Sequence, residues 1–249
     1  MSRLGIIGGS GLTKIPTLEV LRREVVHTPF GEPSAPFTHG AFGDQEVVFL
    51  PRHGSGHTIP PHKINYRANI WALREIGVDR VIGVAAVGGI RPDMGPLTLV
   101  LPDQILDYTY GRKHTFFEDN LTEVKHIDFT YPYCRELRQA LLQAANAVGE
   151  KIVPEGTYGA MQGPRLETAK EVERLDRDGC DIVGMTGMPE ASLGRELGIC
   201  YACCALVVNW AAGKGGGTIS LAEIEKNLNI GMERVRSLLA GLVANSKRG

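Results

Sequence analysis

No stretch of the 249 residues comes near the ~18 consecutive apolar residues that a membrane-spanning helix needs. The opening MSRLGIIGGSG has one basic residue and too few apolar ones before its glycines to form a secretory signal core. Charge of one sign is also lacking. The formal net charge is -1, so neither nucleic acid nor an anionic membrane is expected as the main partner. No internal repeat, low-complexity tract or linker interrupts the chain. These absences lead to the expectation of a soluble cytoplasmic protein folded as one domain over residues 1–249. An apolar content of 43% is enough for a substantial core.

Cysteine is sparse and odd in number, at 134, 180, 200, 203 and 204. Cys200-x-x-Cys203 has redox or metal-site spacing, yet no second Cys/His pair lies nearby to complete a zinc site. Three of the five sit inside the apolar run ICYACCAL. All five are expected to be reduced thiols packed as small hydrophobes, in a reducing compartment. His-Glu-x-x-His is missing, as are a Ser-His-Asp order and a motif with paired carboxylates. The histidines are scattered, so no metal is assigned.

Short apolar strands alternate with amphipathic helices. Strands are expected at 4–7, 46–54, 79–90, 97–106 and 155–163, then in CDIVGMTG and in ICYACCALVVNW. Helices are expected at 65–77, 133–149 and 167–179, in PEASLGRELG, and from about 220 to 246, where Ser220 and Glu223 are spaced as a capping box. The alternation implies an α/β fold. The strand-rich stretch 79–106 implies a central mixed sheet, distorted and barrel-like, flanked by helices.

In such folds ligands gather where strands end. GIIGGSGL follows a strand but lacks the third glycine of a dinucleotide fingerprint and is not a Walker loop. It still offers backbone N–H groups and the Ser10 hydroxyl to an anion. Arg52 and His53 follow the second strand. Arginine presents a planar fork suited to phosphate, and His53 adds a donor if protonated. Thr186 follows DIVGM. Each has an ordinary structural reading as well, as a tight turn or a solvated pair. Three strand ends carrying Ser, Arg-His and Thr together imply an inorganic phosphate site. The longest strand ends in Asn209, a carboxamide that both donates and accepts.

GIIGGSGL, PRHGSGHTIPPHKINYRANIWALREIG, QGPRLET and GMTGMPEASLGRELGICYACCALVVN together resemble the trimeric purine nucleoside phosphorylase family, in its methylthioadenosine phosphorylase branch. The resemblance spans nearly the whole chain. It implies an α/β phosphorylase fold, a homotrimer, and cleavage of a purine–ribose bond by inorganic phosphate as co-substrate, with no other cofactor. By position it implies that Ser10, Arg52, His53 and Thr186 hold phosphate. Ala86 would add a backbone N–H, Met185 would pack under the ribose, and His126 would reach the neighbouring subunit's site. Ala85 stands where relatives carry Thr or Asn, and Leu166 where they carry the Phe that packs on the base. The chain stops soon after its last helix, so a C-terminal contact of some relatives is not expected.

Methylthioadenosine phosphorylases carry TDYD where this chain has VNWA, so Asn209 and Ala211 replace two aspartates around Trp210. Adenine presents an amino donor at position 6, which suits a carboxylate. Hypoxanthine and guanine present a carbonyl there, which an ionised Asp would meet acceptor to acceptor. Asn209 can donate to that 6-oxo group and accept from N7–H. Glu167, after GPRL, can accept from N1–H, a proton that only 6-oxopurines carry. It also reads as a plain first-turn helix residue. Leu221 and Ile224, three apart on the last helix, share a face in the region that lines the 5′ position in this family. An apolar lining there suits a methylthio group, although ordinary helix packing would give the same pattern.

A 6-oxopurine pocket beside an apolar 5′ pocket fits 5′-methylthioinosine, giving hypoxanthine and 5-methylthioribose 1-phosphate. Ser10, His53 and Asn209 are the expected catalytic residues. Three other readings remain. One is a methylthioadenosine phosphorylase that tolerates Asn209, and another is an inosine/guanosine phosphorylase with a loose 5′ pocket. The third, of a different class, is an NAD- or nucleotide-binding protein built on the glycine loop.

Overall fold

The computed structural model describes residues 3–9, 12, 19–42, 45–119 and 121–245. In chain order the strands are β1 (Leu4–Gly8), β2 (Glu19–Glu24), β3 (Phe37–Phe42), β4 (Gln45–Pro51), β5 (Arg80–Gly89), β6 (Leu99–Val100), β7 (Gln104–Asp107), β8 (Ile152–Val153), β9 (Thr157–Ala160), β10 (Ile182–Gly184) and β11 (Cys200–Trp210). The α-helices are α1 (Tyr66–Glu75), α2 (Arg135–Val148), α3 (Ala169–Arg177), α4 (Gly187–Glu196) and α5 (Leu221–Asn245).

The strands form one mixed sheet in the order β2-β3-β4-β1-β5-β10-β9-β7, and β11 branches from β5 towards β6 and β8. Among the described residues the sheet branches here and does not close into the expected barrel-like form. The branch arises on β5. One edge of β5 pairs in parallel with β11 from Arg80 to Gly89. The other edge pairs with β1 only over Arg80–Gly83, and with β10 only at Gly88 and Gly89. Neither register covers residues 84–87 on that edge. A sheet that parts in mid-strand leaves backbone donors and acceptors facing a gap, and buried groups of this kind need partners.

Period-two alternation fills both faces of the sheet. On β11, Cys203, Ala205 and Val207 face a core built with Ile70 and Leu73 of α1 and Ala191 and Leu193 of α4. Ala202, Cys204 and Leu206 face a second core with Leu137 and Leu141 of α2 and Val235, Leu238 and Leu242 of α5. A strand buried on both faces reads as a continuous apolar run, which is why β11 was plain in the sequence.

Several expectations change. Residues 97–106 form two short strands, β6 and β7, because Pro102 lies between them and has no N–H for a ladder. The β2–β3 hairpin was not anticipated, since β2 is exposed along nearly all its length and lacks alternation. At Ser220, only the Glu223 N–H to Ser220 Oγ half of the box is present, at 3.4 Å. Both halves form at Thr168 and Glu171 on α3 instead. The cysteines are not all thiols: Cys134 and Cys200 form a disulfide that ties the start of α2 to the start of β11. Cys180, Cys203 and Cys204 are buried unpaired thiols as expected, and burial pushes the Cys204 thiol up to about 12. No helix among the described residues is long and apolar enough to cross a membrane.

Candidate active site

A cavity of about 520 Å³ opens at the carboxyl ends of β1, β4, β5, β10 and β11, where the sheet parts. Its β5 wall is residues 85–88, of which 85–87 have no strand partner on one edge. The cavity therefore takes in Ala86, whose backbone was expected to serve an anion, and Ala85 beside it.

At one end lies Arg52, buried to 1% exposure. Its Nε and Nη2 donate to the two Glu190 carboxylate oxygens, each at 2.7 Å, and Nη1 donates to the Val84 carbonyl at 2.8 Å. That carbonyl belongs to the unpaired edge of β5. Burial works against the guanidinium charge, but the Glu190 charge and hydrogen bonds outweigh it and raise the Arg52 pKa. Among the described residues three of its five N–H groups are engaged. Tyr201 Oη donates to Glu190 Oε1 at 2.8 Å. Gly83 gives this cluster its room: a Cβ there would sit 2.1 Å from Tyr201 Oη and 2.7 Å from Glu190 Oε1.

His53 lines the same end, and its Nδ1 lies 2.9 Å from the Ile59 carbonyl. A carbonyl only accepts, so Nδ1 carries the proton. Burial and the neighbouring Arg52 charge push the imidazole down to about 4. His53 was expected to add a donor only if protonated; with its pKa this low it is neutral near pH 7, and Nε2 is a hydrogen-bond acceptor. Thr186, buried at the end of β10, faces the cavity, and its backbone N–H donates to Tyr158 Oη at 3.4 Å. Ser10 lies outside the described residues, but Gly9 before it lines the cavity.

Glu167, Asn209, Ala211 and Met185 line the same cavity. Burial raises the Glu167 pKa above that of an ordinary carboxyl, and the Glu171 charge adds to it. Asn209 Nδ2 donates to the Trp210 carbonyl at 2.7 Å. This leaves the side chain one N–H and one carbonyl oxygen. The β11 register shifts between Val207 and Asn209, a bulge at Val208. Bulges re-aim side chains next to sites, and here Val208 and Asn209 both reach the cavity. Leu166 sits at the open side, 41% exposed.

Three expected residues fall elsewhere. Trp210 lines a smaller neighbouring cavity of about 90 Å³, because past the bulge its ring packs over Gly95 and Gly215. Leu221 is 75% exposed. As the first residue of α5 it lies about 60° round the helix from Ile224, three residues on. Ile224 does line the cavity, joined by Ile219 and by Ile59 of the loop after β4. His126 is exposed on the 121–131 segment, away from the cavity of its own chain.

Glu190 and Arg112 were missed. Arg112 is buried, with its guanidinium donating to the carbonyls of Met161, Gln162, Met185 and Met188. It thus joins the loop before Glu167 to the loop carrying Thr186. Glu190 stands as a charge inside a small-residue stretch, whereas Arg112 sits among other polar and aromatic residues, and the partners of the two lie up to 138 positions away.

Residues 3–244 match the family model of the phosphorylase superfamily. The chain belongs to the phosphorylase superfamily. Among superfamily members, a Pseudomonas syringae pv. tomato protein named a probable S-methyl-5'-thioinosine phosphorylase is 52% identical over 246 residues, covering 99% of this chain and 100% of that protein. A Pyrococcus furiosus 6-oxopurine nucleoside phosphorylase is 47% identical over 248 residues, covering 98% of this chain and 92% of its own. Of solved superfamily structures, the Schistosoma mansoni methylthioadenosine phosphorylase in complex with adenine superposes with a TM-score of 0.95 at 33% identity, covering 100% of this chain and 93% of that one.

Proposed function

We propose that the protein cleaves 5′-methylthioinosine with inorganic phosphate, giving hypoxanthine and 5-methylthioribose 1-phosphate. The observation that carries this reading is the Asn209 carboxamide, anchored on the Trp210 carbonyl with one N–H and one oxygen left over. The N–H suits O6 of a 6-oxopurine, the oxygen suits N7–H, and Glu167 suits N1–H. Relatives named for methylthioinosine and 6-oxopurine nucleosides agree with it. Likeness to methylthioadenosine phosphorylases serves the 6-aminopurine reading equally in fold, but that base offers O6 and N1–H to neither residue.

In this reading Arg52, Thr186, the Ala86 N–H, His53 and Ser10 hold phosphate beneath the sugar. The N9–C1′ bond lengthens and its electron pair leaves with the purine. The oxocarbenium ion that develops is stabilised by the phosphate, whose oxygen then bonds to C1′. The phosphate loses one proton and the purine gains one at N7, so the step balances. A neutral His53 suits hydrogen phosphate, whose P–OH can donate to Nε2. Ile219, Ile224 and Ile59 suit the methylthio group. The protein acts as a cytoplasmic, single-domain homotrimer with no further cofactor, in which His126 serves the site of a neighbouring subunit. Exposed Val124, Ile127 and Tyr131 beside His126 are consistent with such a contact. The test is product analysis by mass spectrometry with and without phosphate. Hypoxanthine and a methylthiopentose phosphate that appear only with phosphate support the reading; release of free methylthioribose by water refutes it.

A further inference from the structure

The bulge that aims Asn209 rests on a side chain from another element. The β11–β5 register runs Val207 to Val87 and then Asn209 to Gly88, so Val208 is passed over. Val208 is buried, and its carbonyl accepts from Asn227 Nδ2 at 2.8 Å. Asn227 is itself buried on α5. The direction of this bond is settled because a backbone carbonyl can only accept. Four residues further along, Gly231 brings α5 close onto β11: a Cβ there would lie 2.4 Å from Leu206 Cδ1. Ile224, three residues before Asn227 on the same helix, lines the cavity.

We propose that Asn227 is a positioning residue for base selection, holding the Val208 bulge so that Asn209 presents its carboxamide to the purine. The inference rests on the 6-oxopurine reading above and extends it to a residue outside the cavity wall. Asn227 acts through the bulge and does not touch the base. Its loss leaves a buried carbonyl without its donor, and the strand then relaxes towards regular pairing and turns Asn209. The phosphate groups on β4, β5 and β10 do not depend on this bond. Because Asn227 and Ile224 lie on one turn of α5, the same helix places both the apolar 5′ wall and the base reader.

The test uses the full chain with Asn227→Leu, which removes the donor at about the same shape and adds no buried charge, and Asn227→Ala, which also removes it and keeps the test open should the Leu variant not fold. kcat/KM is measured for methylthioinosine and methylthioadenosine, together with KM for phosphate. The ratio of the two nucleosides should fall about tenfold, the size expected for one mispaired buried polar group, with phosphate KM within about twofold of the parent. A purely structural role would lower the melting temperature and reduce both nucleosides alike. A folded variant that keeps the parental ratio overturns the role of Asn227 alone. A parent without preference for methylthioinosine overturns the base reading instead, and this inference with it.

Discussion

Asn209 has one N–H on the Trp210 carbonyl, so an Asp at this position would set a carboxylate against that oxygen as well as against a 6-oxo group. Asn209→Asp should reduce the methylthioinosine-to-methylthioadenosine ratio of kcat/KM by roughly 5- to 150-fold, from ~1–3 kcal/mol for a mispaired buried polar group. An unchanged ratio would remove Asn209 from base reading. In the proposed reading Glu167 accepts from N1–H most strongly when ionised, and burial raises its pKa. As pH falls, its charge is lost earlier than that of an exposed carboxyl. The acid limb of kcat/KM for methylthioinosine should therefore lie above pH ~4.5 and vanish in Glu167→Gln, as a pH–rate series will show. Glu190→Gln leaves the buried Arg52 charge with a weakened partner. It should cost on the order of 3 kcal/mol in denaturant unfolding and raise KM for phosphate. At this scale the sequence was informative wherever a polar residue directly followed an apolar strand, as with Arg52, His53, Thr186 and Asn209. Glu190 and Arg112 were hidden, because a buried charge is explained only by a partner distant in sequence. Trp210 was misplaced because no local pattern announces a bulge.

Among the elements, β5 and β11 were legible as long apolar runs, and the amphipathic α2 by its spacing and terminal Gly149. The parting of the sheet at residues 84–87 was not legible. It depends on β1 and β10 sharing one edge of β5, and strand neighbours cannot be read from a single strand's pattern. The same limit hid the bond between α5 and the β11 bulge. The Cys134–Cys200 disulfide closes a sequence separation of 66 between α2 and β11. Neither cysteine has local spacing that points to the other, so the pair read as thiols. Chain-entropy reasoning gives such a loop about 4 kcal/mol. Cys200→Ser, or a reductant, should lower the melting temperature by roughly 8–16 °C at ~2–4 °C per kcal/mol. A melting curve insensitive to both would show that the link contributes nothing to stability.

For the whole molecule, the sheet and its two helical cores bring five strand ends to one cavity, lined by Arg52, His53 and Thr186 and by Glu167 and Asn209. That arrangement serves every nucleoside phosphorylase reading. Only the residues at the base and 5′ ends decide among them. The decisive measurement is phosphorolysis by the purified protein of methylthioinosine, methylthioadenosine and inosine, each at the same phosphate concentration and compared by kcat/KM. The account predicts that methylthioinosine is cleaved fastest, by at least ~10-fold over each of the other two, the size of a single buried polar or apolar contact. If methylthioadenosine is cleaved as fast or faster, Asn209 and Glu167 do not read a 6-oxopurine, and the account of this site is wrong.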